Sequence, residues 1–161
     1  MKKSKQAAQG HSLQNAFTMI ELVFVIVVLG ILAGIAIPKF AATRTDAQIS
    51  KGRADIASIR SAIITDRQAH IIQGDPDYIS GLSQNSTTLF DGNGTVGREL
   101  LMYGVTAATT DGHWSTTDNT APYLHYVYKV GGKNCAFTYS PTTGRFDLNT
   151  GQDTICDKLV D

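Results

Sequence analysis

Charge is nearly absent from one long stretch of this 161-residue sequence. Between Phe17 and Ile37, over 21 consecutive residues, the only ionisable side chain is Glu21. At about 1.5 Å of rise per residue, a helix over this stretch is about 31 Å long, enough to cross the hydrocarbon core of a bilayer. A carboxylate inside such a span is costly unless it is paired. The sequence therefore predicts a partner for Glu21, supplied by cutting the chain or by another copy of it.

Signatures of catalysis and of nucleic-acid binding are also missing. The sequence has no G-x-S-x-G, no H-E-x-x-H, no phosphate-binding loop and no cysteine pairs at zinc spacing. Without its first 16 residues the chain has 11 basic and 14 acidic side chains, and no clustered Lys and Arg of the kind that phosphates need. We predict that the chain is not an enzyme and has no clear nucleic-acid site. The alternative is a membrane-tethered hydrolase that uses His113 or His125.

Cysteine is scarce, with Cys135 and Cys156 the only two. The first five residues hold three lysines and no acid, so the positive-inside bias keeps them cytoplasmic and sends the chain from Lys39 onward across the membrane. In an oxidising compartment the two cysteines are predicted to form a disulfide, which contributes roughly 3 kcal/mol in the chain-entropy model. In a reducing cytosol they would be two free thiols.

Proline is absent between residues 41 and 73, so a helix can continue beyond the apolar stretch. Isoleucines recur there at spacings typical of one helical face, at Ile49, Ile56, Ile59 and Ile63. Gly74, followed by Asp75-Pro76, is a stop signal. The pattern predicts one helix of about 55 residues, and the alternative is two helices broken at Pro38.

Small residues and a proline mark the outer end of the apolar stretch. Gly30 and Gly34 stand four apart, the spacing that lets membrane helices approach closely. Pro38 removes the amide that would bond to the Gly34 carbonyl, so a bend or local weakness is expected there.

The rest of the chain is rich in turn residues and short strands. Residues 75–120 predict turns around short strands, or a short helix near Gly97–Tyr103. Three later segments have strand character, with Gly131-Gly132 and Pro141–Gly144 as turns: Tyr123–Val130, Cys135–Ser140 and Gly144–Leu148. A helix followed by antiparallel strands predicts the α+β class, with the isoleucine stripe packed on a small sheet.

Candidate ligand sites are weak. Asp91-Gly-Asn-Gly94 is similar to the start of a calcium loop, but the sixth and twelfth positions are Val96 and Met102 instead of Gly and Glu. No metal or cofactor is therefore predicted, with calcium as the alternative. His70 is expected to pack between helix and sheet rather than to catalyse. Trp114 is either a surface recognition residue or part of the core.

The segment Ala16–Pro38 resembles the N-terminus of type IV pilins and type II secretion pseudopilins. The resemblance lies in a basic leader, a cleavage site before Phe17, Glu21 at the fifth mature position and the apolar run. It implies cleavage after Ala16 by a prepilin peptidase, N-methylation of Phe17, and pairing of Glu21 with the amine of a neighbouring subunit. The family usually has Gly where this chain has Ala16.

The resemblance also implies a domain plan. Residues 1–16 are a cleaved cytoplasmic leader, 17–38 a transmembrane and assembly helix, 39–74 its amphipathic continuation, and 75–161 a periplasmic region with an antiparallel sheet and a disulfide-closed C-terminal loop. The implied protein spans the inner membrane once and projects its C-terminal domain into the periplasm.

The implied function is a structural subunit of an envelope filament, either a type II secretion pseudopilus or a type IV pilus. Its partners are other pilin-like subunits, in homo- or hetero-oligomers, and an inner-membrane assembly platform. The alternative within the family is a minor pilin at the tip that acts in adhesion or DNA uptake.

Two simpler explanations of the N-terminus are a secretory signal peptide and a plain anchor. A signal peptide has a shorter apolar run, roughly 7–15 residues, although Gly34-Ile35-Ala36 is a passable cleavage site. A plain anchor tolerates the length but gives no reason for Glu21.

Overall fold

The computed structural model describes residues 17–161, apart from the side chains of Pro38, Ala41 and Ala42. The chain divides into two compact units, with the boundary after Phe40. The leader predicted over residues 1–16 lies outside the described residues.

One long helix, α1 (Met19–Ile72), begins at a threonine cap and ends at a glycine. The hydroxyl of Thr18 accepts a hydrogen bond from the backbone N–H of Glu21 at 3.2 Å, as an N-cap residue does. At the other end Gly74 has a φ of 88°, and the N–H of Asp75 donates to the carbonyl of His70. The predicted stop at Gly74 is confirmed, and α1 has no break at Pro38.

Six short strands and one short helix follow α1. Strands β1 (Thr88–Leu89) and β2 (Val105–Thr106) form a two-stranded antiparallel pair. The main antiparallel sheet has the order β3-β4-β5-β6, with these bounds: β3 Trp114–Thr116, β4 His125–Val130, β5 Lys133–Ser140 and β6 Arg145–Leu148. Helix α2 (Thr154–Asp157) lies near the C-terminus. The α+β class predicted from the sequence is confirmed.

Of the two alternatives predicted for residues 75–120, the short strands form, as β1, β2 and β3. The short helix near Gly97–Tyr103 is wrong, because this segment forms turns and bends. Gly97 has a φ of 84°, a conformation that a helix does not use. The N–H of Arg98 bonds to the carbonyl of Thr95 in a local turn, and the N–H of Leu101 bonds across the loop to the carbonyl of Phe90. The backbone bonds of the segment therefore go to turns and to a neighbouring loop.

The core of the second unit lies between α1 and the main sheet. The predicted isoleucine stripe is buried at Ile49, Ile56, Ile59 and Ile63. Opposite it stands a cluster of buried rings: Phe90, Trp114, Tyr126, Tyr128, Phe137, Tyr139 and Phe146. Of the two alternatives for Trp114, a surface recognition residue or part of the core, the structure shows the second. Its ring is fully buried, and its Nε1 donates to Asp55 Oδ2 at 3.0 Å. Trp114 is a core residue.

A disulfide joins the sheet to the C-terminal helix. Cys135 on β5 and Cys156 on α2 are bonded, with their Cα atoms 5.4 Å apart. Both residues are fully buried, and Leu159, one turn beyond, is 2% exposed. The bridge therefore fixes the last residues of the chain against the edge of the core.

Gly52 allows α1 to approach this core closely. A Cβ atom at this position would lie 2.7 Å from Tyr128 Cε1 and 2.8 Å from Leu159 Cδ2. Tyr128 is buried, and its hydroxyl is bonded to the carbonyl of Gln48 at 2.7 Å. Leu159 is also buried, so neither neighbour can move freely. A glycine inside a helix costs about 1 kcal/mol relative to alanine, so its presence here reflects packing.

We expect Gly52→Ala to lower the free energy of unfolding by about 1–3 kcal/mol, since overpacking outweighs the gain in helix propensity. Thermal unfolding of the full chain in detergent, followed by circular dichroism, measures the change. Ser58→Ala on the exposed face of α1 is the control and should be neutral or slightly stabilising. A Gly52→Ala protein as stable as the wild type would contradict the packing argument.

Candidate functional site: the apolar segment and the Arg98 cluster

The first part of α1 is apolar and exposed on all sides. The span Met19–Ile37 has a mean hydropathy of 2.9, and none of it is buried. Length and composition allow it to cross a membrane. A core helix of a soluble protein also meets that test, but such a helix would be mostly buried. The apolar surface of this segment therefore has to be covered by lipid or by another protein.

Glu21 lies in the first turn of α1, where the helix dipole favours negative charge. Thr18, Glu21 and the helix start form the T-x-x-E pattern of a capping box, in which the threonine hydroxyl bonds to the N–H of the fourth residue. The sequence prediction missed Thr18, although this spacing is visible in the sequence. The backbone N–H of Glu21 is thus bonded at the helix start, and Glu21 itself is exposed.

Phe17, Gly30 and Gly34, which the sequence also singles out, have open space around them. Phe17 is 80% exposed and precedes the helix. A Cβ atom added to Gly30 or Gly34 would meet nothing within 4 Å, so this face has room for close approach by another helix. Pro38 lies inside α1, and the bend expected there stays a prediction. Ala16 lies outside the described residues.

A buried ionic cluster joins the end of α1 to the loop before β2. Arg98 donates from Nη1 to Asp66 Oδ2 at 3.4 Å and from Nη2 to Asp75 Oδ2. Both nitrogens also bond to the carbonyl of Asp77 at 3.3 Å. The side chains of Asp66 and Arg98 are only 2% and 8% exposed. His70 Nδ1 lies 3.4 Å from Asp66 Oδ1, so the histidine belongs to this cluster instead of the predicted helix–sheet interface.

The environments of the two carboxylates shift their pKa values in opposite directions. Burial raises the pKa of Asp66 above its ordinary value, although Arg98 and His70 act against it. The N–H of Asp77 and the Arg98 guanidinium hold the pKa of the exposed Asp75 below its ordinary value. Arg98 is therefore the cation that makes a buried Asp66 tolerable. The sequence prediction missed this pair, which is 32 residues apart and follows no periodic pattern.

A groove of about 670 Å³ lies beside this cluster, within the second unit. Its floor is the outward face of α1 between Ala57 and His70, and its wall is formed by Gly97, Glu99 and Leu100. Because Arg98 ties the loop to α1, it also sets the position of this wall.

The remaining candidates take part in local structure. His125 Nδ1 lies 2.8 Å from Asp118 Oδ1, and Asp118 Oδ2 accepts the N–H groups of Leu124 and His125. Although partial burial opposes it, these donors hold the pKa of Asp118 below its ordinary value. His113 is exposed beside Thr110, and its Nδ1 lies 3.1 Å from the threonine hydroxyl.

The suggested calcium loop also uses its side chains internally. Asp91 Oδ1 accepts the N–H of Gln84, and Asn93 Oδ1 accepts the N–H of Thr95. Over residues 17–161, no group of three or more His, Cys, Asp or Glu side chains is placed to hold a metal ion.

Comparison with known proteins finds one family model and several fimbrial proteins that are similar to this chain. Residues 11–37 match the family model described as the prokaryotic N-terminal methylation motif. The chain is 34% identical to the type IV major fimbrial protein FimA of Dichelobacter nodosus over 88 residues, 55% of this chain and 54% of that protein. It is 30% identical to a fimbrial protein of Pseudomonas aeruginosa over 91 residues, 50% of this chain and 55% of that protein.

The chain thus spans about half the length of these relatives. No solved structure matches the chain significantly. The methylation motif and the homology to type IV fimbrial proteins confirm the resemblance predicted from the sequence.

The Arg98 cluster generates a stability prediction. Arg98→Met leaves Asp66 buried without its cation, which is expected to cost about 3–5 kcal/mol. The pKa of Asp66 then rises further, so the loss is greatest at neutral pH and shrinks as acid protonates the carboxylate. Urea unfolding at several pH values measures both effects.

Arg145→Met is the matched control, because Arg145 pairs with Asp147 at an exposed site, where a pair contributes under about 1 kcal/mol. Adding Asp66→Asn to Arg98→Met should restore part of the stability. Equal losses in the two arginine variants, without pH dependence, would contradict the account of the cluster.

Proposed function

We propose that this chain, a homologue of type IV fimbrial proteins, is a structural subunit of a type IV pilus-like filament that is assembled from the inner membrane. One observation carries the proposal: an exposed apolar helix with a single acid, Glu21, within the N-terminal methylation motif. A plain anchor needs the apolar surface but gains nothing from the acid. A subunit that leaves the membrane needs both.

In this proposal the chain is the substrate of two processing reactions, cleavage and methylation. Cleavage between Ala16 and Phe17 by a prepilin peptidase creates an α-amine four residues before Glu21, about 6 Å along a helix. Methylation of that amine leaves it protonated and able to pair with a carboxylate. Thr18 supports the arrangement, because its hydroxyl bond to the Glu21 N–H holds the backbone of the first turn in helical form.

Glu21 then acts as a registry device between copies. In lipid, an isolated carboxylate is costly, and the cost is removed when it pairs with the Phe17 amine of a neighbouring copy. Apolar helices slide past each other easily, whereas one polar pair fixes their axial offset. Gly30 and Gly34 would let the helices approach closely enough for the pair to form.

The proposed function also implies where each part of the subunit lies in the cell envelope. Residues 17–38 hold the subunit in the inner membrane before assembly, and the region after Lys39 lies in the periplasm, where the Cys135–Cys156 disulfide is stable. The partners are other pilin-like subunits and an inner-membrane assembly platform. Relatives named as major fimbrial proteins favour a pilus over a secretion pseudopilus. The second candidate, a minor subunit at the tip, is favoured by the exposed residues of the loop at Met102 and Tyr103.

Cleavage is the first test. Intact-mass and N-terminal peptide mass spectrometry of protein from the membrane fraction should find Phe17 as the first residue, with one added methyl group. An N-terminus at Met1, or one near Ile37, would favour the plain anchor or the signal peptide and contradict the proposal.

Pairing of Glu21 is the second test. In cells that lack the wild-type copy, Glu21→Val should leave the amount of subunit in membranes unchanged, since an apolar residue is more comfortable in lipid. The amount in sheared filaments should fall at least about tenfold, because about 1.4 kcal/mol of lost pairing already corresponds to a factor of ten. Ile20→Val is the matched control at the adjacent position and should assemble normally. Normal assembly of Glu21→Val would remove the registry role.

A further inference from the structure

Two asparagines between α1 and β2 begin an Asn-x-Thr tripeptide with no proline in the middle position. The two tripeptides are Asn85-Ser86-Thr87 and Asn93-Gly94-Thr95. This tripeptide is the acceptor sequence for a sugar chain on the asparagine amide, which occurs on surface loops of translocated proteins. In both tripeptides the second and third residues are exposed and the asparagine is partly exposed. The two sites differ in how firmly the rest of the structure holds them.

The first tripeptide is bound into the small sheet. The carbonyl of Thr87 accepts the N–H of Ala107 at 2.8 Å, and Thr88, the next residue, begins β1. Asn85 Oδ1 accepts the N–H and the hydroxyl of Thr87 and the N–H of Thr88, at 2.9, 2.7 and 2.7 Å. An enzyme that binds this tripeptide in its own groove has to break the pairing around β1. Asn85 is therefore a poor acceptor.

The second tripeptide is held by local bonds. The N–H of Thr95 donates to Asn93 Oδ1 at 3.0 Å, and its carbonyl accepts the N–H of Arg98 at 3.0 Å. Gly94 and Gly97 have positive φ values of 83° and 84°, and all four residues from 94 to 97 are exposed. An enzyme can therefore bind this segment without breaking a bond between strands.

The side-chain amide of Asn93 has an N–H available for reaction. Its oxygen accepts from the N–H of Thr95, which identifies the oxygen, because an NH₂ group cannot accept that bond. Nδ2 donates one hydrogen to Ser80 Oγ at 3.0 Å, and among the described residues no acceptor faces the second hydrogen. A sugar can replace the second hydrogen while both existing bonds of the amide remain.

Open space lies beside this amide. A depression of about 350 Å³ adjoins it, roughly the volume of a dozen water molecules. Besides Asn93, its lining consists of small, uncharged residues: Ser80, Gly81, Ser83, Ala121 and Pro122. A bulky group attached to Nδ2 therefore extends into solvent and leaves the packed core undisturbed.

We propose that Asn93 is a site of N-glycosylation by a membrane oligosaccharyl transferase. The donor is an oligosaccharide that is linked to a lipid through a diphosphate. Asn93 Nδ2 attacks the anomeric carbon of the first sugar and loses one proton. The bond from that carbon to the diphosphate oxygen breaks, and the lipid diphosphate leaves with the electron pair. The inference rests on the topology of the proposed function, in which the chain after Lys39 lies in the periplasm.

A sugar chain at this position also covers apolar surface. Val96, three residues after Asn93, is 95% exposed, and leaving an apolar side chain in water is unfavourable. A glycan is bulky and solubilising. Attached to Asn93, it reduces the area of this loop that is available for non-specific association.

Peptide mass spectrometry of the chain from its own cells tests the proposal. Cleavage before aspartates separates the two tripeptides, because Asp77 precedes Asn85 and Asp91 precedes Asn93. The peptide that begins at Asp91 is expected to carry the added mass of one or more sugars, located on Asn93 by fragmentation that keeps the glycan attached. The peptide that begins at Asp77 is the internal control and should be unmodified.

Variants of Thr95 separate recognition of the tripeptide from folding. Thr95→Ser keeps a hydroxyl and should keep the sugar mass, whereas Thr95→Val has nearly the shape of threonine without the hydroxyl and should lose it. Because Thr95 is exposed and its backbone N–H is retained, both variants should fold like the wild type, which circular dichroism melts check. Thr87→Val is the matched control at the first tripeptide and should leave the sugar on Asn93.

The outcomes distinguish this inference from the proposed function. Chains that begin at Phe17 with Asn93 unmodified, or with its amide merely converted to an acid, would overturn the glycosylation site and leave the proposed function standing. A sugar on Asn85 instead of Asn93, or one that persists in Thr95→Val, would also overturn the site. Chains that begin at Met1 and carry no sugar would overturn both.

Discussion

An apolar helix surface that has to be covered is the constraint on which this molecule depends. Over Met19–Ile37 the helix is exposed on every side, so its stability in water would be poor, and it requires lipid or protein around it. A bilayer alone would satisfy this need. Glu21 changes the balance, since it makes the bilayer a costly environment and an amine-bearing neighbour a favourable one. The proposed exchange of lipid for neighbouring subunits follows from these two opposing terms.

The second half of the same helix serves two purposes with separate faces. Its buried isoleucines, Ile49, Ile56, Ile59 and Ile63, pack toward the sheet, and Gly52 lets the backbone come close to Tyr128. Between residues 51 and 67 the cations donate to backbone carbonyls of the globular unit, as Lys51 does to Gly112 and Arg60 to Phe146. The residues between Ala54 and Ala69 that stay exposed are uncharged. The order of residues along α1 therefore both packs the helix on the sheet and leaves its exposed face without charge. Arg98 likewise holds its own loop beside α1, because its guanidinium pairs with the buried carboxylate of Asp66.

The parts of the structure that follow local rules were predictable from the sequence. The isoleucine period located the buried face of α1, Gly74 located its end, and the glycine pair at 131–132 located the turn between β4 and β5. The pairing of Arg98 with Asp66 was not predictable, because it depends on the path of an irregular loop with several glycines at positive φ. The same loop misled the helix prediction near Gly97–Tyr103. The capping role of Thr18 has a signal in the sequence, the T-x-x-E spacing to Glu21, which patterns of charge and hydropathy do not detect.

The most direct test of the central claim is the environment of the apolar span before and after assembly. A spin label on Leu29→Cys can be measured by collision with lipid-soluble oxygen, in membranes and in sheared filaments. The account predicts high oxygen access in membranes and a large decrease in filaments, without a gain of access for a water-soluble nickel reagent. Equal oxygen access in both samples would mean that the span never leaves lipid, and would contradict the account.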